Sequence, residues 1–237
     1  MEFDVRMPKL MEWQQPVFAD VTNDCGKGMT YCVKAKRQVG KSILAESLLI
    51  YFAVRNERSI GTMIEPTLKQ CRRVWKQLLT AIGGEKSPLV KSANQTLLII
   101  ELVNGSEIVF QSAEQGEALR GMTVKKSLLV IDEGAYIKDD IYNILYPITD
   151  ALSCPILLIS TPLFCSGEFY ERYTEGLSYD CNRPHQHCKS YDWAKYDTSI
   201  FLPRHKLEHY RQTLPELKFR SASPSSARRL ATRCRLT

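Results

Sequence analysis

Long apolar stretches are missing from this 237-residue chain. Runs such as Leu97–Ile100 and Leu128–Ile131 fall far short of the roughly 20 apolar residues a membrane-spanning helix needs, so no membrane partner is expected. C-x-x-C pairs are missing too. The eight cysteines stand at 25, 32, 71, 154, 165, 181, 188 and 234, which excludes the paired spacing of zinc ribbons and dithiol redox sites. Buried free thiols in a reducing compartment are expected instead. The opening MEFDVRMPKL has no apolar core and mixes acids with bases, so it is not read as a secretory signal.

The body also has little net charge. The whole chain carries +6, but residues 220–237 hold five arginines (Arg220, Arg228, Arg229, Arg233, Arg235) and no acid, leaving +1 for the rest. Global charge therefore gives little support for nucleic-acid binding by the body, which would need a local patch. With 44% hydrophobic and 24% charged residues the chain is no wholly disordered protein. Its length suits one generous domain or two small ones.

Apolar runs alternate with helical patterns. Thr30 to Lys36 reads as a strand, followed by a turn and a helix from about Lys41 to Arg55. Ser59 to Glu65 reads as a strand and Thr67 to Ile82 as an amphipathic helix. Thr96 to Leu102 and Ser106 to Ser112 bracket Asn104-Gly105, a hairpin signal. Ser127 to Asp132 and Pro155 to Ser160 are near-continuously apolar, as strands covered by helices on both faces are. The alternation predicts an α/β domain with a mostly parallel central sheet and one hairpin. From Ser178 to Tyr196 the pattern weakens. After Phe219 the chain is rich in Ser, Arg and Ala and reads as a disordered tail.

Between the first strand and its helix lies Ala35-Lys36-Arg37-Gln38-Val39-Gly40-Lys41-Ser42. It fits G-x-x-x-x-G-K-[ST] except that Ala35 replaces the first glycine, and strand-loop-helix is the context that motif requires. Backbone N–H groups of the loop and the positive helix end would surround phosphates. Lys41 would neutralise phosphate charge and Ser42 would ligate Mg²⁺. Alanine at position 35 is tolerable only if φ is negative there.

Leu128 to Ile131 leads into Asp132-Glu133. In phosphate-loop NTPases an Asp at this place holds Mg²⁺, and a Glu after it can deprotonate the attacking water. Hydrolysis needs that group and transfer to an acceptor does not, so the pair favours an ATPase over a kinase. Ser160-Thr161-Pro162 ends the next strand. Small hydroxyls at a C-terminal strand edge can sense the terminal phosphate.

Together these pieces resemble the ATPase half of tailed-phage large terminase subunits, the DNA-packaging motors. That family has a variant phosphate loop R-Q-x-G-K-[ST], here Arg37 to Ser42, an apolar run ending in D-E, here Leu128 to Glu133, and a coupling motif like Ser160-Thr161-Pro162. The resemblance implies a three-layer, RecA-like phosphate-loop fold, with ATP and Mg²⁺ as cofactors and Arg37 balancing phosphate charge. Gln14, in Glu12-Trp13-Gln14-Gln15, looks like the glutamine that contacts adenine. Leu119-Arg120-Gly121 resembles the segment that supplies an arginine finger in trans in some members; others use the loop arginine, here Arg37, in cis. The resemblance also implies translocation of double-stranded DNA into a procapsid in a bacterial host's cytoplasm. Its partners would be a portal protein, a small terminase subunit and further copies of the chain in a ring. The expected organisation is an ATPase core over 1–175, a lid or linker over 176–219, and a basic tail over 220–237. The family's nuclease domain has no counterpart in that tail, which points to a frameshift or truncation near Arg220. Two other readings share the same site: a helicase-like remodelling ATPase, and a truncated prophage remnant that binds nucleotide without turnover.

Several other patterns are read as ordinary structure. His205-Lys206-Leu207-Glu208-His209 matches an inverted zinc-protease helix but lacks a third ligand. Cys181, His185, His187 and Cys188 are too crowded for a zinc site. Trp75, with Val74, Leu78 and Leu79, has the spacing of core rather than of a base-stacking platform. Lys69, Arg72, Arg73 and Lys76 on the same helix could track DNA phosphates, but a solvated face serves at least as well, and Lys125-Lys126 is most simply the polar start of a strand.

Overall fold

A computed structural model describes residues 8–24, 27–150, 153–161, 165–180, 186–194 and 196. The readings made for Pro162, Cys181, His185, His205 to His209 and the basic tail lie outside the described residues. Among the described residues eight strands form one sheet: β1 (Thr30–Lys34), β2 (Ile60–Glu65), β3 (Val90–Asn94), β4 (Ile99–Leu102), β5 (Glu107–Ser112), β6 (Leu129–Asp132), β7 (Ile156–Ser160) and β8 (Cys188–Asp192). Their order across the sheet is β3-β4-β5-β2-β6-β7-β1-β8. β5, β2, β6, β7, β1 and β8 pair in parallel. β4 alone runs against the rest, pairing antiparallel with both β3 and β5.

The helices are α1 (Gln14–Thr22), α2 (Lys41–Arg55), α3 (Leu68–Ala81), α4 (Asp139–Leu145), α5 (Pro147–Asp150) and α6 (Glu168–Gly176), with a 3₁₀ segment over Ala113–Gly121. Strand alternation divides the core in two. Tyr31, Val33, Met63, Val130, Leu157 and Ile159 face Val17, Leu44, Leu48, Val74 and Leu78 of α1, α2 and α3. Cys32, Ile64, Leu129, Ile131 and Leu158 face Leu119, Tyr142, Leu145, Phe169 and Tyr173 on the other side. Both faces of β6 and β7 are buried, which is why those strands read as unbroken apolar runs. The result is a helix-sheet-helix sandwich of three layers, as the alternation predicts.

The Asn104-Gly105 hairpin joins β4 and β5, with Gly105 at φ +79°, the left-handed conformation such turns demand. Thr67 caps α3 by accepting the N–H of Gln70 at 3.3 Å. Trp75, Val74, Leu78 and Leu79 are all buried, so this stripe is core. Lys69, Arg72, Arg73 and Lys76 are exposed on the opposite face, as are Lys125 and Lys126.

Two strands depart from the sequence expectation. β3 adds a second antiparallel pairing; its alternation is hidden because only Val90 of Val90–Asn94 is buried. β8 lies inside the stretch where periodicity fades, yet it hydrogen-bonds along the whole of β1. It is an edge strand with one buried residue, Cys188, and Lys34 Nζ bridges across to Asp192 at 2.8 Å. Cys32, Cys71, Cys154 and Cys188 are buried free thiols, as expected; Cys165 is instead disulfide-bonded. No helix among the described residues is long and apolar enough to cross a membrane.

Candidate nucleotide site

β1, β6 and β7 are parallel neighbours or near-neighbours, so their C-terminal ends open onto one edge of the sheet. Ligands bind at such edges in open α/β sheets. The loop after β1 carries Ala35 to Gly40 there and turns directly into the 15-residue α2. Gly40 makes the turn at φ +83°, ψ 27°. α2 starts where that loop leaves the edge and has no side-chain cap at this end, so its positive pole and free N–H groups face the edge. Gln38 also adopts a left-handed conformation, at φ +62°. Ala35 does not, so its side chain is compatible with the first position of the loop. Its N–H donates to the Ser160 carbonyl at 2.9 Å, tying loop to β7.

α1 braces the loop from beneath. Gln14 is buried, and its amide is used at both ends: Oε1 accepts from Met11 N–H at 2.7 Å and Nε2 donates to the Gly40 carbonyl at 2.9 Å. Trp13 Nε1 donates to the Val39 carbonyl at 3.1 Å. A Cβ on Gly40 would stand 2.5 Å from Gln14 Nε2, so Gln14 and Gly40 are matched in shape. Both Gln14 and Trp13 therefore position the loop, a part that spacing alone does not reveal for Trp13.

The acids and hydroxyls converge opposite the loop. Lys41 Nζ donates to Glu133 Oε1 and to Thr161 Oγ1, both at 2.7 Å. Thr161 N–H donates to Glu133 Oε2 at 3.2 Å. Ser160 Oγ accepts from Ala135 N–H at 3.1 Å and donates to the Thr161 carbonyl at 3.0 Å. Asp132 Oδ1 accepts the N–H of Glu133 at 2.8 Å. Glu133 takes a left-handed conformation, φ 50°, ψ 41°, which costs a non-glycine residue about 1–2 kcal/mol. Such strain persists where surrounding contacts hold it, and it concentrates at functional sites. Here the contacts are Lys41 and Thr161.

Asp132 is 3% exposed. Burial, with the neighbouring Glu133 charge, raises its carboxyl to about 6, against the pull of Lys41. Two further acids that motif reading passes over adjoin it. Glu65 ends β2, and Glu46 stands one helical turn after Ser42 on α2. Burial and then Asp132 raise Glu65 to about 8 and Glu46 to about 7. The sequence signal for Glu65 is an acid closing an apolar strand, the same feature that marks Asp132. Ser42 and Asp132 offer only oxygen donors, the chemistry Mg²⁺ prefers, so the residues fit that ion.

Not every expected residue joins this cluster. Lys36 is buried within the loop, while Arg37 is exposed on it. Arg120, on the 3₁₀ segment, pairs with Glu117 at 2.9 Å and its side chain is 65% exposed.

No family model and no curated protein matches the chain. Solved structures do. The large terminase ATPase domain of Thermus phage P74-26 superposes with a TM-score of 0.72 at 22% identity, over 91% of this chain and 92% of that one. The fold is that of a large terminase ATPase domain. The large terminase of another thermophilic bacteriophage gives 0.67 at 12% identity, over 90% of this chain and 52% of that one. That second terminase has also been solved with ATP-gamma-S and with ADP. The HK97 bacteriophage large terminase gives 0.64 at 14%, over 97% and 48%. The chain thus spans about half of each of these last two terminases. The RecA-like, three-layer terminase ATPase fold expected from the sequence is the one observed, with its mostly parallel sheet.

Proposed function

We propose that this chain is the ATPase of a viral DNA-packaging motor, hydrolysing ATP to drive double-stranded DNA into a procapsid. The reading is carried by one observation: residues far apart in sequence, Lys41, Asp132, Glu133, Ser160 and Thr161, meet at the sheet edge into which α2 points.

In this reading the loop from Ala35 to Lys41, including Lys36, Gln38, Val39 and Gly40, wraps the phosphates with backbone N–H groups. Lys41 leaves Glu133 for the phosphate oxygens, and Arg37 adds charge from the loop's exposed side. Gln14 reaches adenine with the amide lone pair and hydrogen not used on Met11 and Gly40. Ser42 and Asp132 hold Mg²⁺, which when bound neutralises phosphate charge. Glu133, freed from Lys41, takes the proton of the attacking water. Ser160 and Thr161 respond to that release because Thr161 hydrogen-bonds both residues of the pair, and β7 carries the response into the fold.

Arg120 is exposed and lies outside the cluster, which suits a group offered to a neighbouring copy. A ring of copies, docked on a portal protein and served by a small terminase subunit, would complete each site in trans. Turnover per chain should therefore rise steeply with protein concentration as copies assemble. Dilute monomer that hydrolyses ATP as fast per chain as the assembled protein would refute the trans arrangement. ATPase rates of wild type and Glu133→Gln that are equally at background would refute catalysis.

A further inference from the structure

Glu65 is 1% exposed, and neither of its carboxylate oxygens has a hydrogen-bond partner. A buried carboxyl group in that condition costs about 1–3 kcal/mol even with its proton on, and more as the charged carboxylate. An apolar residue would end β2 without that cost, since Met63 and Ile64 before it are wholly buried. Its position explains what could offset the cost.

Side chains alternate along β2. Met63 packs beneath α2 and α3 and Ile64 packs on the opposite face, so Glu65 returns to the α2 face. Val130 and Ile131 divide in the same way on β6, which sends Asp132 to that face as well. Ile64 pairs with Ile131, so Glu65 and Asp132 are next across the parallel pair, at strands about 4.8 Å apart. Glu46, one helical turn after Ser42 on α2, is close enough for Asp132 to act on it. The nearby cations, Arg73 and Lys41, act on Glu65 through space but give it no hydrogen bond.

The carboxylate therefore lacks donors on the side of the candidate metal position. Mg²⁺ keeps several of its waters when protein ligands are few, and metal-bound water is a strong donor. We propose that Glu65 is a positioning residue for the metal, its carboxylate accepting hydrogen bonds from water bound to an Mg²⁺ held at Ser42 and Asp132. This rests on the nucleotide-site reading above and adds to it a group on a strand that the motifs do not include. Glu65 touches neither nucleotide nor metal; it orients the hydration shell, and Asp132 with it.

The test is Mn²⁺ affinity, followed by electron paramagnetic resonance with the full chain and ATP-gamma-S, alongside binding of a fluorescent ATP analogue without metal. Glu65→Gln keeps the shape and loses the charge. Mn²⁺ affinity should fall about 10–100-fold, as when outer-shell groups of metal sites are removed, while metal-free nucleotide binding stays within about twofold. Glu65→Asp keeps the charge one methylene further back and should fall less. Thermal unfolding of the metal-free Glu65→Gln variant should show little change, because a buried amide without partners replaces a buried carboxyl without partners. Unchanged Mn²⁺ affinity in both variants overturns the proposal. Equal loss of metal-free nucleotide binding also overturns it, since that result marks a collapsed loop. Wild type that binds the analogue in neither condition would instead refute the nucleotide site itself.

Discussion

Lys41 and Glu133 are 92 residues apart in the chain and 2.7 Å apart in the fold. Lys41 is 9% exposed and Glu133 23%, so neither charge is well screened by water. The pair joins the start of α2 to the residue after β6, and Thr161, the residue after β7, bridges both partners. If phosphate is to reach Lys41, it must compete with Glu133. The same displacement would free the carboxylate that hydrolysis requires.

From this pair follows a split between binding and turnover. Glu133→Gln should still bind nucleotide, with turnover reduced about 10²–10⁴-fold, the usual contribution of a positioned general base. Lys41→Ala should lose both. Steady-state hydrolysis and equilibrium binding of a fluorescent ATP analogue separate the two. Equal loss of binding in both variants would contradict the roles assigned here.

The contact of Gln14 with Gly40 should be visible as non-additivity. Gly40→Ala meets a φ of +83° and a Cβ only 2.5 Å from Gln14 Nε2; the conformational cost alone is about 1–2 kcal/mol. Gln14→Ala strands the Met11 N–H and Gly40 carbonyl, at about 1–3 kcal/mol. In the double variant the clash is gone and the φ strain remains. Its destabilisation in urea should be smaller than the sum of the single effects.

Trp75 should behave as a core residue. Trp75→Ala should cost about 3–5 kcal/mol in urea unfolding. Trp75→Phe should cost clearly less than Trp75→Ala, because it leaves a smaller cavity and the indole Nε1 has no hydrogen-bond partner to lose. A base-stacking role predicts the reverse: near-native stability with loss of DNA binding.

Stability of the metal-free protein should fall as pH rises from about 5 to about 8. Asp132, Glu46 and Glu65 are raised to about 6, 7 and 8, chiefly by burial. Across that window the folded state retains protons that the unfolded chain has already lost, so each rise in pH favours unfolding. Thermal midpoints in chelator-containing buffers measure the slope. Glu65→Gln should flatten it, and a stability that rises between pH 5 and 8 would contradict the burial of these acids.

The amino-acid sequence determined the parts that depend on near neighbours. The helix of α2 runs over Lys41–Arg55, the residues its pattern predicts, and α3 runs over Leu68–Ala81, inside the Thr67 to Ile82 its amphipathic pattern predicts. Fully covered strands such as β6 and β7 announced themselves by unbroken apolar runs, and Asp132-Glu133 by its place after one of them. β3 and β8 escaped because an edge strand buries little and is fixed by backbone pairing to another strand. Such pairing leaves no periodic trace in the side chains. Only the tertiary structure decided that Glu133 meets Lys41, that Gln14 and Trp13 hold the loop, and that Glu65 stands beside Asp132. Strand order and register bring those residues together across intervals of tens of residues. A local pattern carries no information about which edge a distant side chain will share.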